Sequence, residues 1–385
     1  MKNAPEQQEN TVTDLAAVPI VDDFSAYLIA GRVASRLPDD LPNATAVRTV
    51  KQGIDDGVDA ERLGFKSVYF SERWNLKEAA VFLGAVGART ERIGLATGLV
   101  SPARRHVLHM AAYGATMHAA FGPRFILGLG RGDHAYLRHE GLQSAGFDGI
   151  CDYVDVLRRL WAGEVVTYDG PAGRYNAIKL GDLYEGPAPK VYYGTFGLPK
   201  AAAAVAKSFD GVILPPVMTP EATAGSVQRL HDACERIGRD PASLRIVQCV
   251  ITAPELDEEE TRTLAHARAV TYLQAPEFGN SLVKVNGWDP EPMLKLRESM
   301  NEMQQRAGEE MADTAFHRRE LLEPARLVPD AWIEESSAIG SIEGCVAKLQ
   351  EFKHAGADEL TTYGSTPCQN AKLLTAWRKR SGAVG

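Results

Sequence analysis

The chain has 385 residues, of which 45% are hydrophobic, and this length suffices for one large α/β barrel or for two ordinary domains. The net charge of −8 and the pI near 5.7 argue against nucleic acid or a membrane as the main partner, because both need a basic face. The five cysteines lie far apart without a Cys-x-x-Cys pair, which indicates neither a zinc site nor a disulfide framework. These features predict a reduced, cytoplasmic protein.

The first 24 residues are predicted to form a flexible tail. They are polar and acidic, and they lack the basic region followed by an apolar core that marks a secretory signal. Residues 25–385 are predicted to form a single domain.

Apolar, strand-like runs alternate with helical patterns along the chain, which predicts βα units on a parallel sheet. Eight strands are expected, in chain order at 26–32, 66–74, 92–100, 125–129, 190–197, 210–216, 244–252 and 358–364. The patterns predict helices at 50–63, 76–88, 107–120, 151–161, 200–207, up to 237, and 342–354, with a hairpin at 165–180.

Eight strand-then-helix units predict an α/β fold of the (β/α)8 TIM-barrel type, whose active site lies where the carboxyl ends of the strands meet. Residues from about 276 to 336 exceed what one connection needs, and their Met, Glu and Arg content predicts helices. We expect this segment to be an insertion over the barrel mouth. Its methionines indicate either a mouth that accepts a hydrophobic small molecule or ordinary core packing.

A glycine-rich stretch, GLGRGD at 128–133, follows the fourth predicted strand. Its glycines let the backbone approach a ligand closely and present N–H groups to an anion, or they simply form a turn. The spacing differs from the dinucleotide-binding fingerprint, because no glycine stands three residues after Gly130.

Three further strand ends carry small or polar residues, which predicts a concentrated site at the mouth. They read SERW at 71–74, TGL at 97–99 and GTFG at 194–197. Glu72 and Arg73 either point into the mouth or form a solvated salt bridge. Of the histidines near this part of the chain, His106 and His134 lie close enough to strand ends to be catalytic candidates.

The segments ERIGLATGLVSPARRHVLHMAAYGATMHAAFGPRFILGLGRGD and KVYYGTFGLPKAAAAVAKSFDGVI resemble the luciferase-like monooxygenase superfamily of flavin- and deazaflavin-dependent barrels. The resemblance extends in register from about residue 26 to 364. Within the superfamily, SVYFSERWNLKEAAVFLGAVGARTERIGLATG with GLGRGD is most similar to oxidoreductases that use coenzyme F420. Many relatives carry an acidic residue followed by histidine where this chain has Glu72-Arg73, so a histidine acid or base is not expected there.

The resemblance implies a ring lying across the mouth, with a non-prolyl cis peptide beneath it at Gly98-Leu99 and the cofactor phosphate held by the loops after strands four and five. The cofactor-binding residues it implies are Thr97, Gly98, Leu99, Gly130, Arg131, Gly132, Asp133, Gly194, Thr195, Phe196 and Gly197. The guanidinium of Arg131 suits a phosphate or a polyglutamate tail. No metal is expected.

The resemblance implies hydride transfer between F420 and a small organic substrate, since the cofactor carries the chemistry and the protein orients it. Glu72 is the predicted acid or base, Arg73 is predicted to set its ionisation or to bind substrate, and His106 is the next catalytic candidate. The alternatives are an FMN-dependent monooxygenase supplied by a separate reductase, and a member that binds flavin without turnover. A homodimer is expected.

Overall fold

The computed structural model describes residues 18–29, 49–73, 76–132, 134–307 and 315–380. The strands are β1 Phe24–Leu28, β2 Ser67–Phe70, β3 Gly94–Thr97, β4 Phe125–Leu129, β5 Val166–Gly170, β6 Gly173–Ile178, β7 Lys190–Gly194, β8 Gly211–Leu214, β9 Arg245–Pro254, β10 Ser337–Gly340 and β11 Glu359–Tyr363. Among the described residues, the helices before the long insertion are α1 Val50–Leu63, α2 Ala79–Gly87, α3 Val107–Phe121, α4 His134–His139, α5 Phe147–Trp161, α6 Pro199–Ser208 and α7 Pro220–Arg236.

Eight parallel strands close into a barrel in the order β1, β2, β3, β4, β7, β8, β9, β11 and back to β1. The predicted (β/α)8 barrel is therefore confirmed. The predicted hairpin is also present, because β5 and β6 pair antiparallel outside the barrel. One strand was not predicted: β10 pairs in parallel with the last four residues of β9, from Ile251 to Pro254.

Local signals explain where α1 begins and ends, at the residues predicted. Thr49 and Gln52 form a reciprocal capping box at its start, which satisfies two backbone N–H groups that lack helical partners. Gly64 ends it in the left-handed conformation with φ 90°. Just before β1, in the predicted tail, Val21 is buried and forms an isolated bridge with Phe65.

A buried carboxylate fills the amino-terminal end of the barrel interior. Glu359 on β11 accepts hydrogen bonds from Ser25 Oγ at 2.6 Å and Tyr69 Oη at 3.0 Å. Its other oxygen lies 3.2 Å from Arg245 and 3.4 Å from Lys66. The side chain is only 2% exposed, so two cations and two hydroxyls take the place of water around it.

Helices occupy the chain between β9 and β10, and they begin before the predicted residue 276. They are α8 Glu258–Leu264, α9 His266–Leu273, α10 Pro276–Asn286, α11 Glu291–Ser299, α12 Asn301–Ala307, α13 Leu322–Ala325 and α14 Asp330–Ser336. Two helices flank the last barrel strand, α15 Ile342–His354 and α16 Ala371–Arg380. The predicted domain boundaries themselves stay predictions. No described helix has both the length and the apolar surface needed to cross a membrane.

Aromatic rings connect this helical segment to the strand ends. Phe278 on α10 contacts Phe196 after β7, with ring centroids 4.8 Å apart, and Tyr272 on α9 at 5.0 Å. Tyr272 in turn lies 6.4 Å from Tyr363 at the end of β11, and Tyr363 lies edge-on to Tyr27 of β1 at 4.7 Å. These five rings form an aromatic arc along one side of the mouth.

Candidate active site

The ends of β3 and β4 are joined by a threonine side chain. The hydroxyl of Thr97 donates to the carbonyl of Gly128 and accepts from its N–H, both at 2.8 Å. Thr97 is fully buried. Its side chain therefore positions the two strands, and its hydroxyl is already satisfied by backbone. A cofactor contact by Thr97 stays a prediction.

The peptide bond between Gly98 and Leu99 is cis, which confirms the prediction for this strand end. The chain returns to the sheet at Val100, whose N–H donates to the Gly128 carbonyl at 3.0 Å. A Cβ added at Gly98 would lie 3.0 Å from the Tyr27 hydroxyl, so the end of β3 approaches that phenol closely.

Two of the predicted cofactor-binding glycines make room for Leu99. A Cβ on Gly194 would lie 2.1 Å from Leu99 Cδ1, and a Cβ on Gly130 would lie 2.9 Å from the same atom. The Leu99 side chain thus covers the ends of β4 and β7. This packing accounts for both glycines without a ligand, while a cofactor lying on Leu99 would use the same open surface.

Arg131 lies at the end of β4 beside two aromatic side chains. Its guanidinium carbon lies 4.2 Å from the ring centroid of Phe147, a cation–π distance, and Arg131 lies close enough to Tyr193 on β7 to oppose the rise that burial causes in the pKa of that phenol. Among the described residues it forms no ion pair. Gly132 follows in the left-handed region with φ 80°, and the next residue, Asp133, lies outside the described residues.

Side chains of α7 hold the loop between β7 and α6 through hydrogen bonds to its carbonyl groups. Ser226 Oγ donates to the Phe196 carbonyl at 2.8 Å, and Arg229 Nε donates to the Gly197 carbonyl at 2.8 Å. The Gly197 N–H donates to Thr195 Oγ1 at 3.1 Å, and Gly197 has φ 63°. Helix α6 then begins without a side-chain cap at Leu198, which leaves first-turn N–H groups for an anion.

Glu72 faces away from the barrel axis. Phe70, two residues earlier, stacks on Phe82 of α2 at 3.8 Å, and alternation along the strand places Glu72 on the same outer side. Its Oε2 accepts from the Ala79 N–H at the start of α2, at 3.2 Å, and pairs with Arg105.

Arg105 bridges two carboxylates next to the barrel, those of Glu72 and Glu78. Burial alone would lower the pKa of Arg105, but the two carboxylates raise it above its ordinary value. The carboxylate of Glu72 pairs with Arg105, while Arg73 Nη1 donates to Ser71 Oγ at 3.0 Å and to the Glu72 carbonyl at 3.2 Å.

His106 lies apart from this cluster. It is exposed at the N-cap of α3, where Nδ1 accepts from the Leu108 N–H at 3.2 Å, and its ring contacts Tyr175 of β6 edge-on at 5.3 Å. These contacts give His106 a helix-capping role. The catalytic assignments of Glu72, Arg73 and His106 all stay predictions, and only Arg73 joins residues of the barrel interior.

Sequence reasoning assigned no role to Tyr27, Tyr272, Tyr363 or Arg105. Strand alternation was the signal for the first of these, because Tyr27 is paired in register with Tyr69, and Tyr69 reaches Glu359 inside the barrel. Tyr363 ends β11 on the same face as Glu359, so alternation was a signal for it too, whereas Tyr272 comes from the helical segment and Arg105 from a loop, which alternation does not describe. In the described part of the chain, no three metal-ligating side chains come together.

Glu72→Gln is expected to lower the free energy of unfolding by about 2 kcal/mol, because it removes one charge from a largely buried ion pair while Glu78 still pairs with Arg105. Turnover of the folded protein is expected to stay within about tenfold of the parent, below the usual effect of removing an acid or base. Urea unfolding and steady-state rates check both expectations. A fall of about 10²-fold in turnover at unchanged stability would instead support the predicted role of Glu72 as the acid or base.

Fold and site together define a (β/α)8 barrel with a cis peptide at the third strand end and an arginine-bearing, glycine-rich turn at the fourth. The family model for luciferase-like monooxygenases matches residues 35–359. The chain belongs to this family, as its sequence predicted.

Named relatives share parts of the sequence. The F420-dependent glucose-6-phosphate dehydrogenase of Microbacterium testaceum is 32% identical over 202 residues, which cover 48% of this chain and 59% of that protein. The chain thus matches less than two thirds of that relative's length. The 5,10-methylenetetrahydromethanopterin reductase of Methanolobus tindarius is 22% identical over 302 residues, 78% of this chain and 86% of that one.

A solved structure shares the fold. The coenzyme F420-dependent tetrahydromethanopterin reductase from Methanopyrus kandleri superposes with a TM-score of 0.70 at 19% identity, covering 92% of this chain and 96% of the other. At this identity the likeness concerns the fold alone.

Proposed function

We propose that this protein is an F420-dependent oxidoreductase that transfers a hydride between the deazaflavin and a small organic substrate. The observation that carries the proposal is Arg131, a guanidinium that lies over the ring of Phe147 and near Tyr193, with no ion pair among the described residues. The names of the relatives, which are F420-dependent dehydrogenases in several bacteria, support F420 as the cofactor.

The residues present fit a phosphate-bearing cofactor of this kind. Arg131 and the start of α6 follow neighbouring strands, since β4 and β7 pair through Leu129 and Tyr193. A guanidinium and free helix N–H groups beside each other suit an anion. The surface of Leu99 would support the ring, and the bound deazaflavin would supply or accept a hydride at its reactive carbon.

The side chains at the mouth also indicate the chemical class of the substrate. The aromatic arc gives one side of the mouth large apolar surfaces with phenolic edges, which favours an organic molecule with apolar groups. The predicted homodimer, the cytoplasmic location and a reductase partner remain proposals that rest on the family resemblance.

Titration with F420 and with FMN, followed by fluorescence quenching, tests the proposal. We expect tighter binding of F420, and we expect Arg131→Ala to weaken it by roughly 1 to 3 kcal/mol, the scale of a charge-assisted hydrogen bond. Arg174→Ala is the matched control, because Arg174 lies exposed on the hairpin in a pair with Asp169.

Three outcomes would contradict the proposal. Preferred binding of FMN, with oxygen-dependent turnover after reduction by an added reductase, would favour the monooxygenase alternative. Equal F420 affinity in the parent and in Arg131→Ala would reduce the glycine-rich stretch to a turn. Stoichiometric F420 binding without turnover of any reductant and substrate pair would favour a non-catalytic binding protein.

A further inference from the structure

The side chains of Arg73, Ser71 and Tyr27 lie near one another beside the end of β3. Arg73 Nη1 donates to Ser71 Oγ at 3.0 Å, and both side chains lie close enough to the Tyr27 phenol to oppose the rise that burial causes in its pKa. The phenol lies beside Gly98, where an added Cβ would be 3.0 Å from it. A cation, a hydroxyl and a phenol thus follow one another toward the strand end where the cofactor ring is proposed to lie.

The three tyrosines of the aromatic arc differ in how their hydroxyls are used. Those of Tyr272 and Tyr363 lie 2.7 Å apart, and Arg268 Nη2 donates to both. The Tyr27 hydroxyl takes no part in this network, and among the described residues no acceptor takes its proton. Tyr27 is therefore the phenol of the arc whose O–H remains free to bind a substrate oxygen.

We propose that Tyr27 is the proton donor and acceptor of the reaction, and that the substrate is an uncharged ketone or secondary alcohol with apolar groups. The inference rests on the proposed function. In reduction, hydride from reduced F420 bonds to the carbonyl carbon, the C=O π pair moves to oxygen, and that oxygen takes the Tyr27 proton. Oxidation of the alcohol reverses each transfer, and solvent restores the proton balance of the phenol.

Ser71 and Arg73 are positioning residues in this scheme. When Tyr27 gives up its proton, the Ser71 O–H can donate to the phenolate, and the Arg73 guanidinium behind it stabilises the negative charge. Burial raises the pKa of Tyr27 above its ordinary value, with Tyr363 and Cys249 adding to the rise and Ser71 and Arg73 opposing it. The phenol accordingly carries its proton at neutral pH, as a donor must.

The test uses acetophenone and 1-phenylethanol as probes with the full-length protein and F420. Tyr27→Phe is expected to lower kcat by about 10²-fold or more, with KM and the Kd of F420 changed less than about threefold. Ser71→Ala is expected to lower kcat by about tenfold, again without a change in KM. Tyr69→Phe is the matched control. Its kcat is expected to stay within threefold of the parent, because the Tyr69 hydroxyl donates to Glu359 at the other end of the barrel interior.

An infrared measurement tests the contact without turnover. Acetophenone labelled with ¹³C at its carbonyl is bound to protein loaded with oxidised F420, which cannot donate hydride. A hydrogen bond from Tyr27 is expected to shift the carbonyl band to lower frequency in the parent and in Tyr69→Phe, and the shift is expected to vanish in Tyr27→Phe.

The outcomes separate this inference from the proposed function. Failure of F420 to bind in the fluorescence titration overturns the proposed function and the inference with it. Stoichiometric F420 binding, with neither binding nor turnover of the two probes, overturns the inferred substrate class alone. An unchanged kcat or an unchanged carbonyl band in Tyr27→Phe overturns the role of Tyr27.

Discussion

Gly128→Ala is expected to lower the free energy of unfolding by about 3 kcal/mol or more, the upper range for overpacking a well-packed interior. The added Cβ would lie 2.0 Å from the carbonyl oxygen of Thr97, a backbone atom that cannot rotate away. The two hydrogen bonds between Thr97 and Gly128 hold the strands at this distance. Urea unfolding followed by circular dichroism measures the change.

Gly84→Ala is the matched control for this substitution. Gly84 lies within α2, and an added Cβ would have no neighbour within 4 Å. Alanine there is expected to stabilise the protein by roughly 0.5 to 1 kcal/mol through helix propensity. Equal stabilities of the two variants would show that β3 and β4 can move apart without lowering the free energy of unfolding.

Glu359→Ala is expected to destabilise the fold by about 3 to 5 kcal/mol, the usual cost of removing one partner from a buried ion pair. Arg245 and Lys66 would lose their shared carboxylate, and Ser25 and Tyr69 would lose their acceptor. Both cations are about 30% exposed, so partial hydration places the loss nearer the lower figure.

Glu291→Ala provides the comparison on the surface. Glu291 and Lys295 form an i,i+4 pair in which both side chains are more than 60% exposed, so its loss is expected to change the free energy of unfolding very little. The comparison is made by urea unfolding of both variants under the same buffer. A loss at Glu359 no larger than at Glu291 would contradict a stabilising role for the buried cluster.

Much of the fold could be predicted because each barrel strand is a continuous apolar run that ends in polar or small residues. Helix α1 spans the residues predicted for it, and in the structure Thr49, Gln52 and Gly64 mark both of its ends. Strand β10 was missed because its four residues, SAIG, follow directly on a helix and carry no turn residue before them.

The direction of side chains at the strand ends was harder to predict. In a parallel barrel both faces of a strand are buried, so Val68, Tyr69 and Phe70 are all apolar and do not mark which face is inward. Without that mark, Glu72 could be assigned to either side. Only the contacts with Ala79 and Arg105 show that its carboxylate faces α2.

The pairing of β1 with β11 sets the order in which the chain can complete its fold. The register joins Phe24 to Leu360, residues at nearly opposite ends of the sequence. During synthesis, β1 therefore remains an open edge on that side until the last barrel strand has left the ribosome. Contacts of such long sequence separation slow folding, and exposed strand edges favour aggregation. Expression at low temperature or with added chaperones is therefore expected to raise the yield of folded protein more than amino-acid substitutions at the barrel mouth would.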